Sequence, residues 1–339
     1  MAAAAHTLRD MHFVSNDAAA SVLTMEEAVR AIQAAYSGPV DGRNTPRRTL
    51  VDGDGAGFRV LPSAPPGARY FGAKIMGATT HSGFRACGYA IMLFDRDESR
   101  IAAIVDGKFI TACRTAATSA AALDRLASPG PVRLGVLGSG NEASAHVRAF
   151  AAVRELEEVI VFSPTPERRA AFAQAVTDDF GVSCRVADTI EAAGEQFRET
   201  CNVVVAAARS RGEQPILFGD NLRPGVTVVS IGSTVATQRE IDVSVVASAD
   251  LIVCDDVGEV VDETGDMIAA AEAGLSIRDK SFALHELMSG ALDDRVQRAE
   301  IRMFKSVGSG LQDVVIAGIV LDKAIEAGLA TALPVAFAA

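Results

Sequence analysis

The chain has 339 residues, 49% of them hydrophobic and 5% aromatic, with a formal net charge of −11. That length accommodates two domains with cores of their own. The acidic balance argues against nucleic acid and anionic membrane surfaces as partners, while leaving room for a local basic pocket that takes a small anion.

No apolar run reaches membrane-spanning length, and the start MAAAAHTLRD lacks the apolar core of a secretory leader. It reads as a frayed start. Five scattered cysteines, with no CxxC pair, read as reduced thiols of a cytoplasmic protein. In chain order, Thr24 with Glu27 three residues on forms a capping-box pattern ahead of a helix over 25–36. Short β-type runs at 58–61, 70–76 and 89–94, separated by Gly, Pro and Asp, predict antiparallel strands. A run at 101–105 and the turn pair Asp106-Gly107 extend that pattern. An Ala-rich helix over about 115–126 ends near Ser128-Pro129-Gly130.

Beyond that break, strand and helix alternate. Strands are predicted at 133–137, 158–162, 183–186, 203–206, 227–230 and 250–253, with helical stretches such as 167–176 between them. Six strands in this order predict an α/β fold with a doubly wound parallel sheet, a Rossmann nucleotide domain. The pattern ends near Gly308, and an apolar helix over 311–327 is expected to return to the first domain. The expected division is 1–128 together with 310–339 as an α+β domain, and 129–309 as the nucleotide domain.

Residues 132–145, VRLGVLGSGNEASA, carry the most chemistry. A largely apolar strand runs into Gly138-Ser139-Gly140, and a helical pattern follows at once. Such a turn brings backbone N–H groups and a helix N-terminus to a pyrophosphate. Ala143 stands at the third position of the glycine fingerprint as the permitted small alternative, and the carboxylate of Glu142 is expected to point away from the phosphates. The alternative is a plain strand-to-helix turn. The second strand ends at Ser163-Pro164-Thr165 with no carboxylate for a ribose 2′-hydroxyl, and Arg168 and Arg169 follow. Hydroxyls and a guanidinium can hold a 2′-phosphate, so NADPH is expected, with NADH the alternative.

Arg47-Arg48, Lys74 and Arg114 lie upstream of the nucleotide domain. A lysine in the apolar strand FGAKIMG needs a partner or a task. Arg114 among small helical residues can hold a carboxylate bidentately. Ser230-Ile231-Gly232-Ser233-Thr234 falls at the carboxyl end of a predicted strand, where the nicotinamide side of a cofactor would lie. Phe304 to Gly308 and then Gln312-Asp313 mark the return of the chain, Asp313 being open to reading as a first-turn charge. His81, His146 and His285 are isolated and predict no metal, Ser139 and Ser144 form no nucleophile elbow, and Asp255-Asp256 reads as a solvated loop.

Arg48-Thr49, GAKIMG, TACRTAATSAAA, GVLGSGNEA, IGSTVATQREID and FKSVGSGLQD, in that order, resemble the ornithine cyclodeaminase/μ-crystallin family over roughly residues 20–325. The resemblance implies an NAD(P)-dependent homodimer joined through the N-terminal domain, which then serves substrate binding and dimerisation, with an active site between domains. It implies that Arg48, Lys74 and Arg114 hold a substrate α-carboxylate. Gly138, Ser139, Gly140, Glu142 and Ala143 match the pyrophosphate loop, where the family usually has Gln at the place of Glu142. Ser163, Thr165 and Ser306 match further cofactor contacts, and Thr115, Arg168, Ile231 and Gly232 are counted with them.

In the cyclodeaminases an aspartate stands where this chain has Thr234, and a threonine is no general base near neutral pH. A substrate-contacting threonine is likewise replaced by the Ala86–Gly88 stretch. The expected activity is therefore reduction of a 2-imino acid, with Lys74 or a water oriented by Asp313 as proton source. The rivals are an amino-acid cyclodeaminase or dehydrogenase, and an NADPH-dependent binding protein without turnover.

Overall fold

The computed structural model describes residues 10–79, 86–208 and 214–334; His81 and the first nine residues lie outside them. The chain divides into two compact units, one of residues 1–31, 40–114 and 309–339, the other of 32–39 and 115–308. Residues 32–39 belong to the second unit, the main boundary falls at Arg114/Thr115, upstream of the expected residue 128, and the last falls at Gly308/Ser309.

The first unit holds strands β1 (Met11–Val14), β2 (Thr49–Gly53), β3 (Ala56–Ser63), β4 (Tyr70–Thr79), β5 (Ala86–Asp95), β6 (Ile101–Asp106) and β15 (Thr331–Leu333). They form one sheet in the order β15-β1-β6-β5-β4-β3-β2. From β2 to β6 each strand pairs antiparallel with the next, as the short runs between Gly, Pro and Asp predict. Helices α1 (Asn16–Val22) and α12 (Gly310–Glu326) accompany the sheet, while α2 (Met25–Tyr36) and α3 (Gly107–Leu126) each have residues assigned to both units. The capping box of α2 forms as expected: the Thr24 N–H donates to Glu27 Oε2 at 3.0 Å and the Glu27 N–H to Thr24 Oγ1 at 3.3 Å. The apolar face of α12 packs on β3, β4 and β5, which returns the end of the chain to this unit.

Asp106-Gly107 is not a hairpin turn. The chain passes straight from β6 into α3, and Asp106 Oδ1 accepts the Lys108 N–H at 2.9 Å in the manner of a helix cap. Asp and Gly serve helix starts as readily as turns. The aromatic and β-branched first turn, Phe109 to Thr111, concealed the helical residues before 115.

The second unit holds β7 (Val132–Leu137), β8 (Leu156–Phe162), β9 (Ser183–Val186), β10 (Val203–Ala206), β11 (Thr227–Ser230), β12 (Leu251–Cys254), β13 (Ser281–Ala283) and β14 (Arg302–Lys305). Between them run α4 (Asn141–Ala151), α5 (Pro166–Phe180), α6 (Ile190–Thr200), α7 (Val243–Ser248), α8 (Val257–Glu263), α9 (Gly265–Glu272), α10 (Leu284–Met288) and α11 (Asp293–Arg298). The sheet is parallel throughout, in the order β13-β12-β14-β11-β10-β7-β8-β9. Strands such as VVVA and LIVC are buried along their whole length, as a sheet covered on both faces requires. The chain winds outward in opposite directions from β7 and β10, so the switch point of the sheet lies between them.

Residues 302–305, expected only as part of the returning segment, are the strand between β11 and β12. Two cations in RMFK mask its apolar character, but each is satisfied in place. Arg302 donates to Val296 O at 2.9 Å, and Lys305 pairs with Asp266 at 2.8 Å.

Candidate active site

Lys74 sits mid-strand in β4, with Leu61 and Ile91 as register partners, and is only 3% exposed. An ammonium there needs a counter-charge, and α12 supplies it. Lys74 Nζ donates to Asp313 Oδ1 at 2.9 Å and lies 2.8 Å from Oδ2. Arg114, on α3, donates from Nε to the same Oδ1 at 2.9 Å and from Nη1 to Gln312 Oε1 at 2.8 Å.

Two buried cations therefore share one carboxylate, a net charge of +1 for the trio. Among the described residues, good hydrogen-bond geometry is met at Oδ1 only, and the buried Oδ2 has no aligned donor. Burial, and after it the charge of Arg114, push the Lys74 ammonium down to about 8 against the opposing pull of Asp313. Arg48, half-buried ahead of β2, adds to that lowering. Asp313 is thus the hub of the cluster and more than a first-turn charge. Gln312 had passed as mere return chain; its signal was a Gln-Asp pair at the head of an apolar helix, both fully buried.

In the second unit the glycine turn has the shape a dinucleotide needs. Gly138 adopts φ +117°, its N–H donates to Phe162 O at 2.8 Å, and a Cβ there would lie 2.8 Å from Ala207 O. Gly140 caps α4 without a side chain, so no side chain of its own occupies the end where a pyrophosphate would bind. Ala143 is completely buried against the neighbouring core. Ser139 Oγ donates to Ser163 Oγ at 2.8 Å, joining the tips of β7 and β8.

At the β8 tip, Arg169 donates to Ser163 O at 3.1 Å, lies over the Phe162 ring at 5.7 Å, and stands 3.7 Å from Asp188. Arg168 and Thr165 are exposed beside it, and Thr115 is half-buried on α3. Glu142 is half-buried, and its carbonyl oxygen lies 2.7 Å from His146 Nδ1, whose ring reaches Ser119 Oγ through Nε2 at 2.9 Å. Burial lowers the His146 pKa to about 4, so the ring is a neutral strap between α3 and α4.

The segment after β11 is held from within. Ser230 Oγ and the Gly232 N–H both donate to Glu240 Oε1 at 2.7 Å. Thr234 donates its N–H and its hydroxyl to Gln238 Oε1 at 3.2 and 3.4 Å. Ile231 is buried beneath Gly232. No local pattern distinguishes Glu240, which stands between Arg239 and Ile241 in the charged stretch REID. Ser306 Oγ donates to Asp255 Oδ2 at 2.7 Å.

Asp255-Asp256 is not a solvated loop. Asp255 also accepts the N–H groups of Val307 and Gly308 at 3.0 and 2.7 Å, and Asp256 caps α8 through the Glu259 N–H at 2.8 Å. Both carboxylates answer backbone donors that a turn and a helix start leave open.

A glycine turn at the switch point of a parallel sheet, with an uncapped helix behind it, defines the class: a Rossmann-fold, dinucleotide-dependent oxidoreductase. The chain belongs to the ornithine cyclodeaminase/mu-crystallin family, whose model matches residues 9–328. It is 29% identical over 277 residues to a Delta(1)-pyrroline-2-carboxylate reductase of Bacillus thuringiensis subsp. konkukian, covering 80% of this chain and 82% of that protein. It is 31% identical over 234 residues to the ketimine reductase mu-crystallin of Mus musculus, covering 69% of each. Among solved structures it is similar to the Thermococcus litoralis Delta(1)-pyrroline-2-carboxylate reductase in complex with NADH and L-proline, with a TM-score of 0.85, 25% identity, and coverage of 95% of this chain and 100% of that one.

Proposed function

We propose that the protein reduces the C=N bond of a 2-imino acid, a cyclic ketimine such as pyrroline-2-carboxylate or piperideine-2-carboxylate, with NADPH as hydride source. The observation that carries this reading is the buried trio with its net +1 charge, which a substrate carboxylate neutralises. Arg114 and Arg48 hold that carboxylate; a guanidinium suits a planar, two-oxygen partner. When bound, the reduced nicotinamide supplies hydride to the imine carbon.

The imine nitrogen takes a proton in the same reaction. Lys74, poised at about 8 and fixed by Asp313, is the group that gives it. Thr234, its hydroxyl bound to Gln238, offers no carboxylate for a second ammonium group, which favours reduction over cyclodeamination.

Ser163, Thr165, Arg168 and Arg169 at the β8 tip support the 2′-phosphorylated cofactor. Arg169→Ala is expected to weaken NADPH binding about tenfold and NADH binding less than about twofold, measured by titration. The pyrophosphate belongs at Gly138–Gly140 and the nicotinamide over Ile231 and Gly232. The protein is read as a cytoplasmic homodimer joined through the first unit, where the edge strand β2 exposes Leu50 and Val51.

The test is the purified protein with NADPH or NADH and each ketimine. Loss of reduced-nicotinamide absorbance with formation of the cyclic amino acid is expected. Ammonia released from ornithine or lysine with no net change in cofactor overturns the reading in favour of a cyclodeaminase. Cofactor and ketimine binding without turnover overturns it in favour of a binding protein.

A further inference from the structure

Four buried side chains meet under the Gly232 turn, and the reading above assigns work to none of them. Glu240, Asp266, Lys305 and Ser230 all have zero exposure. Lys305, the last residue of β14, donates to Ser230 Oγ at 2.9 Å and to Asp266 Oδ2 at 2.8 Å. Asp266, in the first turn of α9, accepts the N–H groups of Glu240 and Ile241 on Oδ1 at 2.9 and 3.2 Å.

Lys305 and Asp266 thus neutralise each other, which leaves Glu240 as the odd charge. Its Oε1 accepts Ser230 and the Gly232 N–H, while Oε2 has no hydrogen-bond partner among the described residues. That bare oxygen presses on the turn itself: a Cβ at Gly232 would lie 2.1 Å from Oε2 and 2.7 Å from Ala208 O. A packed core rarely leaves a carboxylate oxygen unanswered.

The dinucleotide reading places this turn at the nicotinamide. With the pyrophosphate at β7 and the adenosine ribose at the β8 tip, the rest of the cofactor runs to the opposite side of the switch point, over β10 and β11. The nicotinamide is the part of the cofactor whose charge changes in the reaction, a cation when oxidised and neutral when reduced.

We propose that Glu240 is a positioning residue that sets the preference of the site for oxidised over reduced dinucleotide. As carboxylate it holds the Gly232 turn and lends a negative charge to the cationic ring; as neutral acid it holds the same turn without that charge. The inference rests on the dinucleotide reading of the turn.

Burial pushes Glu240 up to about 7, Asp266 pushes the same way, and Lys305 pulls against them. Among the described residues, Lys305 from β14 and Asp266 from α9 are the charged groups that face it. The exchange of its proton therefore falls near neutral pH, and a more alkaline medium favours the oxidised cofactor.

The test is binding, with no turnover needed. The dissociation constants of the reduced and oxidised forms of one dinucleotide are measured on the full-length protein from about pH 6 to about pH 8.5. Their ratio is used because effects common to both forms cancel. We expect the ratio, reduced over oxidised, to rise on the order of tenfold with pH, the scale of two charges interacting across a partly screened interior.

Glu240→Gln keeps the Oε1 acceptor and is expected to flatten the ratio at its low-pH value. Asp266→Asn, which leaves Lys305 to stabilise the Glu240 carboxylate, moves the rise to lower pH. A wild-type ratio constant within about twofold overturns the proposal, as does a pH-dependent ratio that survives in Glu240→Gln. A wild-type protein that binds neither form overturns instead the dinucleotide reading beneath it.

Discussion

Lys74 shows how a single residue acquires chemistry from its neighbours. An ordinary lysine is protonated well above neutrality, whereas here burial and two arginines bring it to about 8. Reduction needs the proton, so kcat/KM for the ketimine is expected to fall about tenfold per pH unit above that value. Lys74→Met is expected to lower kcat by about 100-fold or more and to remove this limb, read from pH profiles of both proteins. An unchanged limb in the variant assigns the proton to another donor. His146 carries a prediction about stability. Its folded pKa, about 4, lies below the ordinary value of 6.5, so the unfolded chain binds the proton first. Stability from this residue is present above pH 6.5 and is lost as pH falls toward 4, up to about 3 kcal/mol. Denaturant titrations at several pH values should show that slope in the wild type and a shallower one in His146→Gln. At this scale the sequence was a good guide to charged residues in apolar surroundings: Lys74 was suspect because a lysine in FGAKIMG needs a reason. It was a poor guide to their partners. Asp313 lies 239 positions from Lys74 along the chain, and no local pattern links them.

Elements were most legible where one local rule acted alone. The capping box marks the start of α2, and the β10 and β12 strands are short apolar runs between polar breaks. They were least legible where a tertiary partner cancelled a local signal, as in β14, whose cations are bound in the core, and at Asp106-Gly107, where a turn pair begins a helix. The glycine turn between β7 and α4 belongs to this scale. Gly138 combines a positive φ with a carbonyl 2.8 Å from where a Cβ would sit. Gly138→Val is therefore expected to destabilise the protein by about 1–3 kcal/mol, by thermal or chemical unfolding. It should also weaken dinucleotide binding at least tenfold, since the turn must move away from the pyrophosphate. A variant of wild-type affinity would show that the cofactor does not use this turn.

For the whole molecule, the open edge of the first sheet carries the last prediction. An unprotected edge strand with exposed apolar side chains is a pairing surface; Val51 on the edge strand β2 and its cross-strand partner Phe58 on β3 are 59% and 46% exposed. If the protein is a homodimer through this unit, Val51→Lys with Phe58→Asp halves the mass measured by sedimentation. A wild-type monomer, or a variant that stays dimeric, removes the edge from the interface. Sequence alone determined the class of the protein. Local patterns specify strand, turn and helix, so the parallel sheet and the glycine turn at its switch point followed from short stretches read in order. Only the tertiary structure decided how the charges are arranged. One carboxylate on α12 serves both Lys74 and Arg114, and Glu240 is buried under Gly232 beside Lys305 and Asp266, because charge in a low-dielectric interior is governed by distance in space, which chain order does not encode.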